Sequence, residues 1–179
     1  MNDSAIFDLV ISFLDSQFAA NGLTTVEVIQ SYQPTQQGMS STPIVYLHKL
    51  GDHRHGSPRR ENRWDAENSV MVYTETQVWE SAFQLGALSI QDPADANQLT
   101  ASDLCKIASN FLQSRAFIDL LKSSEVQILR ITDVRQAYFV DDRGRHEASP
   151  SFDFTLTRKQ STITTSPVLQ SIESAVYIV

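Results

Sequence analysis

From Val70 onward the chain keeps a strict period of two: Val70, Val72, Thr74, Thr76 and Val78 alternate with Met71, Tyr73, Glu75, Gln77 and Trp79. Successive side chains of a strand point to opposite faces, so this is the pattern of a β-strand with two different faces. The run can continue to Leu88, which is long for a small domain. The rest of the fold has to be arranged around a strand of this length.

Two helical stripes flank it. Ile6, Leu9, Val10, Phe13, Leu14 and Phe18 recur at spacings of three and four, which places them on one side of a helix. Asn2, Asp3 or Ser4 can cap its start, and Asn21-Gly22 supplies the left-handed turn that ends it. A second helix is predicted from Thr100, where Thr100 and Asp103 have capping-box spacing. Its apolar face is Leu104, Ile107, Ala108, Phe111, Leu112, Ile118 and Leu121, and Ser123-Ser124 closes it. Thr25 to Tyr32 and Ile44 to Leu50 read as strands. So does Val126 to Val140, with an irregularity near Thr132-Asp133, and so does the return run of Phe152, Phe154 and Leu156 after the turn residues Asp141 to Gly144. Strands joined as hairpins, with helices that do not alternate regularly, give an α+β fold: a single domain over 1–179, mainly antiparallel β-sheet, with two principal helices packed on it.

The segment 48–68 fits neither period. It holds Gly51, Gly56, Pro58, five basic residues, four acidic ones and three histidines, with Leu50 and Trp64 almost its only apolar content. It reads as a long charged loop, and long loops in compact domains are usually functional. The stretch 161–179 reads as a C-terminal tail with β-rich runs at Ser161 to Thr165 and Ile172 to Val179.

Chemistry-bearing motifs are scarce. No phosphate-binding glycine pattern, nucleophile elbow or zinc-protease signature occurs. His53 and His55 would face the same side of a strand and could share a metal, yet they sit in a polar, arginine-rich stretch with nothing to build a dry surround. Asp141-Asp142 and Asp92 with Asp95 fit turn chemistry better than acid–base work. Arg54, Arg59, Arg60 and Arg63, with His53 and His55, form a candidate assembly or DNA-facing segment, with solvated charges balanced by Asp52, Glu61, Asp65 and Glu67 as the plainer reading. No catalytic, cofactor or metal site is assigned, and the reading is of a protein that is not an enzyme.

The net charge of −7 and a pI of about 5.0 argue against a general nucleic-acid binder, which needs a basic surface. The distribution is uneven, with no Lys or Arg before Lys49. Opposed charged surfaces of this kind suit head-to-tail pairing of copies. Cys105, the single cysteine, excludes an intrachain disulfide and falls on the buried face of the second helix. No run approaches a membrane span, and the first residues lack the basic start of a secretory signal. The expectation is a cytoplasmic, soluble chain.

Several stretches carry a family likeness: Ile128 to Arg135, Tyr138 to Arg143, Glu147 to Phe154, Glu75-Thr76-Gln77 leading into Phe83 to Leu88, Gln91 to Asp95, and Thr100 to Asp103. Together they resemble the neck or tail terminator proteins, also called gateway proteins, of tailed bacteriophages. The resemblance implies a homo-oligomeric ring, usually a hexamer, at the head-proximal end of the tail. Such a ring ends the tail tube and joins it to neck or head-completion proteins linked to the portal, while genomic DNA passes through the lumen. It implies contact with tail-tube and sheath proteins, a place in the virion after assembly in the host cytoplasm, and no cofactor or membrane. Edge pairing through the long third strand would serve ring formation, which makes Glu75, Gln77 and Trp79 candidate inter-subunit residues. The competing readings are a DNA-binding module using Arg54 to Arg63, a metal-dependent hydrolase on His53 and His55, and another neck or collar ring subunit.

Overall fold

The computed structural model describes residues 2–30, 42–89, 97–140 and 146–167. In chain order the elements are α1 (Asp3–Ala20), β1 (Glu27–Gln30), β2 (Ile44–Asp65), β3 (Val70–Leu88), α2 (Ala101–Leu112), α3 (Arg115–Ser123), β4 (Val126–Ile131), β5 (Arg135–Val140) and β6 (His146–Pro167). The fold is α+β. One six-stranded sheet has the order β1-β2-β3-β6-β4, with β5 also on β6. Parallel pairing is seen between β1 and β2, for which residues 31–43 provide the long connection such a pair needs. β4 and β5 run antiparallel to β6.

The helix ends follow from their residues. Asn2 caps α1 by accepting the Ala5 N–H at 2.9 Å, and Gly22 takes φ 79 just beyond its end. At α2 the capping box is complete: Thr100 accepts from the Asp103 N–H, and Asp103 accepts from Thr100. The single second helix expected from the apolar stripe is two. Ser114 begins α3 by accepting the Phe117 N–H, so the chain re-caps midway and turns while keeping its apolar residues inward.

Segment 48–68 is not a loop. β2 runs through it to Asp65, and the tight turn of residues 66–69 leads into β3. Asp65 builds that turn by accepting from the backbone N–H groups of Glu67 and Asn68, and Ser69 closes it at φ 51. Charged side chains hid the strand because it buries neither face, so no alternation was imposed on its sequence. Ser161 to Thr165, expected in a tail, belongs to β6. The turn at Asp141 to Gly144, the pair Asp92 and Asp95, Ser31-Tyr32 and Ile172 to Val179 lie outside the described residues. The irregularity at Thr132-Asp133 is the gap between β4 and β5. Thr132 stitches it to β6, donating its N–H to the Asp153 carbonyl at 2.8 Å while its hydroxyl accepts the Asp153 N–H at 2.9 Å.

The described chain divides into two compact units: residues 1–53 with 80–158, and residues 54–79 with 159–179. β2, β3 and β6 contribute residues to both. The first unit holds the hydrophobic core. Phe7 meets Phe83 edge-on at 5.6 Å, Phe83 stacks on Phe154 at 5.4 Å, and Phe13 lies 4.9 Å from Phe117. Leu14, Phe18, Val45, Leu85, Leu104, Leu112, Leu121 and Phe152 close around them, all fully buried. Cys105 is among them, its thiol directed at the Pro150 carbonyl, and burial pushes its pKa up to about 12. It is packing, not a reactive thiol.

Candidate functional site

In the second unit the side-chain contacts between β2 and β3 run in antiparallel order. The Arg54 guanidinium lies over the Trp79 ring, 5.3 Å from its centroid, within cation–π range. Gln77 donates its amide N–H to the His55 carbonyl at 3.1 Å, and Arg60 pairs with Glu75 at 2.8 Å. On the other side of β3, Thr76 and Ser161 share a hydroxyl hydrogen bond at 2.9 Å, which ties β6 in. The two sets of residues singled out from the sequence therefore meet each other. Arg54, His55 and Arg60 of the charged segment contact Trp79, Gln77 and Glu75 of the candidate inter-subunit strand within one chain. Arg59 pairs with Glu61 on its own strand. Arg63 is near Asp65, whose carboxyl is held below its usual value by hydrogen bonds from Asn68 first and by Arg63 as a smaller contribution. His53 is exposed and belongs to the first unit.

This arrangement bears on both sets of candidate residues. β3 lies between β2 and β6, so its backbone groups are committed inside the chain. Within the second unit, edge pairing with another copy has to use β2 or β6. Glu75, Gln77 and Trp79 have only side chains to offer. The arginine segment is also balanced: the second unit contains five basic and five acidic residues, so the whole formal charge of −7 resides in the first unit. A neutral unit whose arginines already have acidic and aromatic neighbours is a poor duplex-DNA surface.

None of the buried apolar side chains of the described residues belongs to the second unit. Trp64 and Tyr73 are large and substantially uncovered, at 47% and 37% of their surface, and every side chain of 159–167 is exposed. Three strands with no fully buried side chain among the described residues repay little of the entropy of ordering them by their own contacts.

The first unit has a polar cluster that sequence patterning missed. Lys49 on β2 reaches Asp3 of α1 and Asp52, each at 2.6 Å. Asp52 also accepts from the buried Ser81 hydroxyl at 2.6 Å, and Arg158 of β6 pairs with Asp3 at 2.8 Å. The Lys49 hydrogen bond holds the Asp3 carboxyl below its usual value, against the opposing pull of burial. For Asp52 burial is the largest single influence and pushes upward, yet Lys49 and Ser81 together outweigh it. The cluster clamps α1 to the sheet. Its members are far apart in sequence, so no local pattern could have joined them. The same holds for Tyr46, whose hydroxyl lies 3.2 Å from that of Ser149 across Gly86. A Cβ at Gly86 would come within 2.4 Å of the Tyr46 ring.

Among the described residues no group of three or more His, Cys, Asp and Glu side chains is placed to hold a metal ion, and no helix is long and apolar enough to cross a membrane. Residues 5–168 match the model of a protein family described as E217 gateway protein gp29. No curated protein matches the chain.

Proposed function

The chain belongs to this phage gateway-protein family, and from that premise we propose that its copies close into a ring at the head-proximal end of the tail. It is a bacteriophage structural protein of the neck and tail region. The ring ends the tail tube, contacts tube and sheath proteins on one side and neck or head-completion proteins linked to the portal on the other, and leaves a lumen for the genome. Six copies is the expected number, assembled in the host cytoplasm. No reaction is assigned to it.

The observation that carries this reading is the second unit, three strands with no buried core and no strand against their outer edges among the described residues. A sheet of this kind acquires its missing contacts from another molecule. In the ring, Trp64, Tyr73 and the side chains of Glu75, Gln77 and Trp79 provide faces for neighbouring subunits, and Arg59 and Arg63 provide charge for pairing with the acidic first unit of another copy. The excess of negative charge lets DNA pass without adhering, because adhesion grows with each phosphate neutralised.

Native mass spectrometry across protein concentration, with negative-stain images of the same samples, tests the proposal. A single closed stoichiometry with ring-shaped particles is the expected result. A chain that stays monomeric at every concentration, alone and with purified tail tube, overturns it. Duplex binding by the isolated chain that weakens steeply with salt and vanishes on replacing Arg54, Arg59, Arg60 and Arg63 would favour the DNA-binding reading instead.

A further inference from the structure

The three-stranded unit has two outer edges, and only one is defended. Along the β2 edge, Gly56 sits at φ 64, Pro58 removes a backbone donor, and the strand carries four arginines. Irregular backbone, proline and charge are the devices by which natural sheets keep an edge from pairing. The β6 edge has such residues only at its ends, Lys159 and Pro167. β4 pairs with β6 as far as Val126 with Arg158. From Lys159 to Pro167 no described strand lies against that edge. Gln160–Ser166 contains no charge, no glycine and no proline, is rich in β-branched residues, and leaves Ile163 65% exposed.

Directly after this edge come residues 168–179, of which Ile172 to Val179 has strand-forming composition with Glu173 its single charge. We infer that the open edge of β6 takes the C-terminal segment 168–179 of a second copy as an added strand, so that copies link head to tail by exchanging their C termini. The inference rests on the ring reading above and goes beyond the family likeness, whose matched range stops at residue 168.

Turn chemistry selects a second copy over the chain's own terminus. To pair with its own β6 the segment would have to reverse just after Pro167, and tight reversals call for Gly, Asn or Asp. Residues 168–171 are Val, Leu, Gln and Ser. The reversal this chain does make, between β2 and β3, uses Asp65 and Asn68 with Ser69 at φ 51. Reach is no obstacle, because the extended segment is long enough to cover the edge from 159 to 167. One surface gives and a different one receives, so the contact repeats from copy to copy and closes when the rotation allows.

The test mixes two full-length preparations with different affinity tags, one carrying Thr164→Cys and the other Val176→Cys or, to cover both faces of the strand, Tyr177→Cys. A short bismaleimide joins thiols that lie close, and the buried Cys105 does not compete. The expected product has the mass of two chains and both tags, while a single chain carrying both substitutions cross-links to its neighbours. Native mass spectrometry of the same samples reads the ring separately. Rings without an interchain product, or with only an intrachain one, overturn the exchange and leave the ring. A mixed product without rings supports the exchange and overturns closure, and absence of both overturns both. A chain ending at Pro167 provides a second variant. It is expected to lose assembly with its melting temperature unchanged, and rings formed by it overturn the exchange.

Discussion

β3 passes through two environments. At Phe83 and Leu85 it is sealed against α1 and β6, with no exposed surface. At Tyr73 and Glu75 the same alternation continues with the side chains uncovered. The first stretch belongs to a unit with its own core and a cross-linking polar cluster. The second belongs to a unit with exposed side-chain contacts, among them the Arg60–Glu75 and Arg59–Glu61 ion pairs, the Arg54–Trp79 cation–π contact, the Gln77 amide on the His55 carbonyl and the Thr76–Ser161 hydroxyl pair. A strand needs backbone partners to exist and a buried face to be stable. The chain supplies both in one unit and only the former in the other. Stability is therefore concentrated where the core is, and the other unit is where association has the most to add.

Four substitutions probe that contrast, from the largest effect to the smallest. Phe83→Ala removes a ring held between Phe7 and Phe154 and should cost about 3–5 kcal/mol in denaturant unfolding. A loss below 1 kcal/mol would mean that the core is not where stability resides. Gly86→Ala pushes a methyl group into the Tyr46 ring, with an expected cost of about 1–3 kcal/mol. Adding Tyr46→Leu should recover part of that loss, and strict additivity would deny the close approach.

Lys49→Met removes the cation shared by Asp3 and Asp52, leaving them Arg158 and Ser81 respectively, and should cost about 1–3 kcal/mol near neutral pH. Both carboxyls titrate lower in the folded chain than their ordinary 3.8, so their contribution is complete above that value and disappears as pH falls through the folded ones. Lys49 titrates above its ordinary 10.5, because Asp3 and Asp52 outweigh the burial that opposes them, so its contribution disappears as pH rises through the folded value. The gap between wild type and variant should narrow at both extremes, and a gap independent of pH would argue against the cluster. Arg60→Ala, in the second unit, breaks an exposed pair and should change unfolding by less than about 1 kcal/mol. Its effect belongs on assembly, read by native mass spectrometry. A large shift in monomer stability would erase the difference between the two units.

Much of the first unit was legible. The apolar stripe of α1, the capping box at Thr100 and Asp103, and the alternation of β3 to Leu88 are local patterns, and each element appears where its pattern stands. The misreadings share a cause. Segment 48–68 looked like a loop because periodicity records burial, and β2 buries nothing beyond Gly51. The stripe from Leu104 to Leu121 looked like one helix because both helices face the same core and Ser114 was not recognised as a cap. That Arg54 and Arg60 sit against Trp79 and Glu75 was not legible either, since only strand pairing brings them together.

The sequence by itself determined the class of fold, the extent of β3, the starts of α1 and α2 and the membership of a gateway family. Those rest on interactions between residues close in the chain or on patterns kept along it. Only the tertiary structure decided that β3 is interior, that Lys49 joins Asp3 to Asp52, that Gly86 yields to Tyr46, and that every fully buried apolar side chain among the described residues lies in one unit. Each of these depends on which distant segments share a sheet, and strand order is settled by the packing of whole faces, a quantity no short stretch of sequence contains.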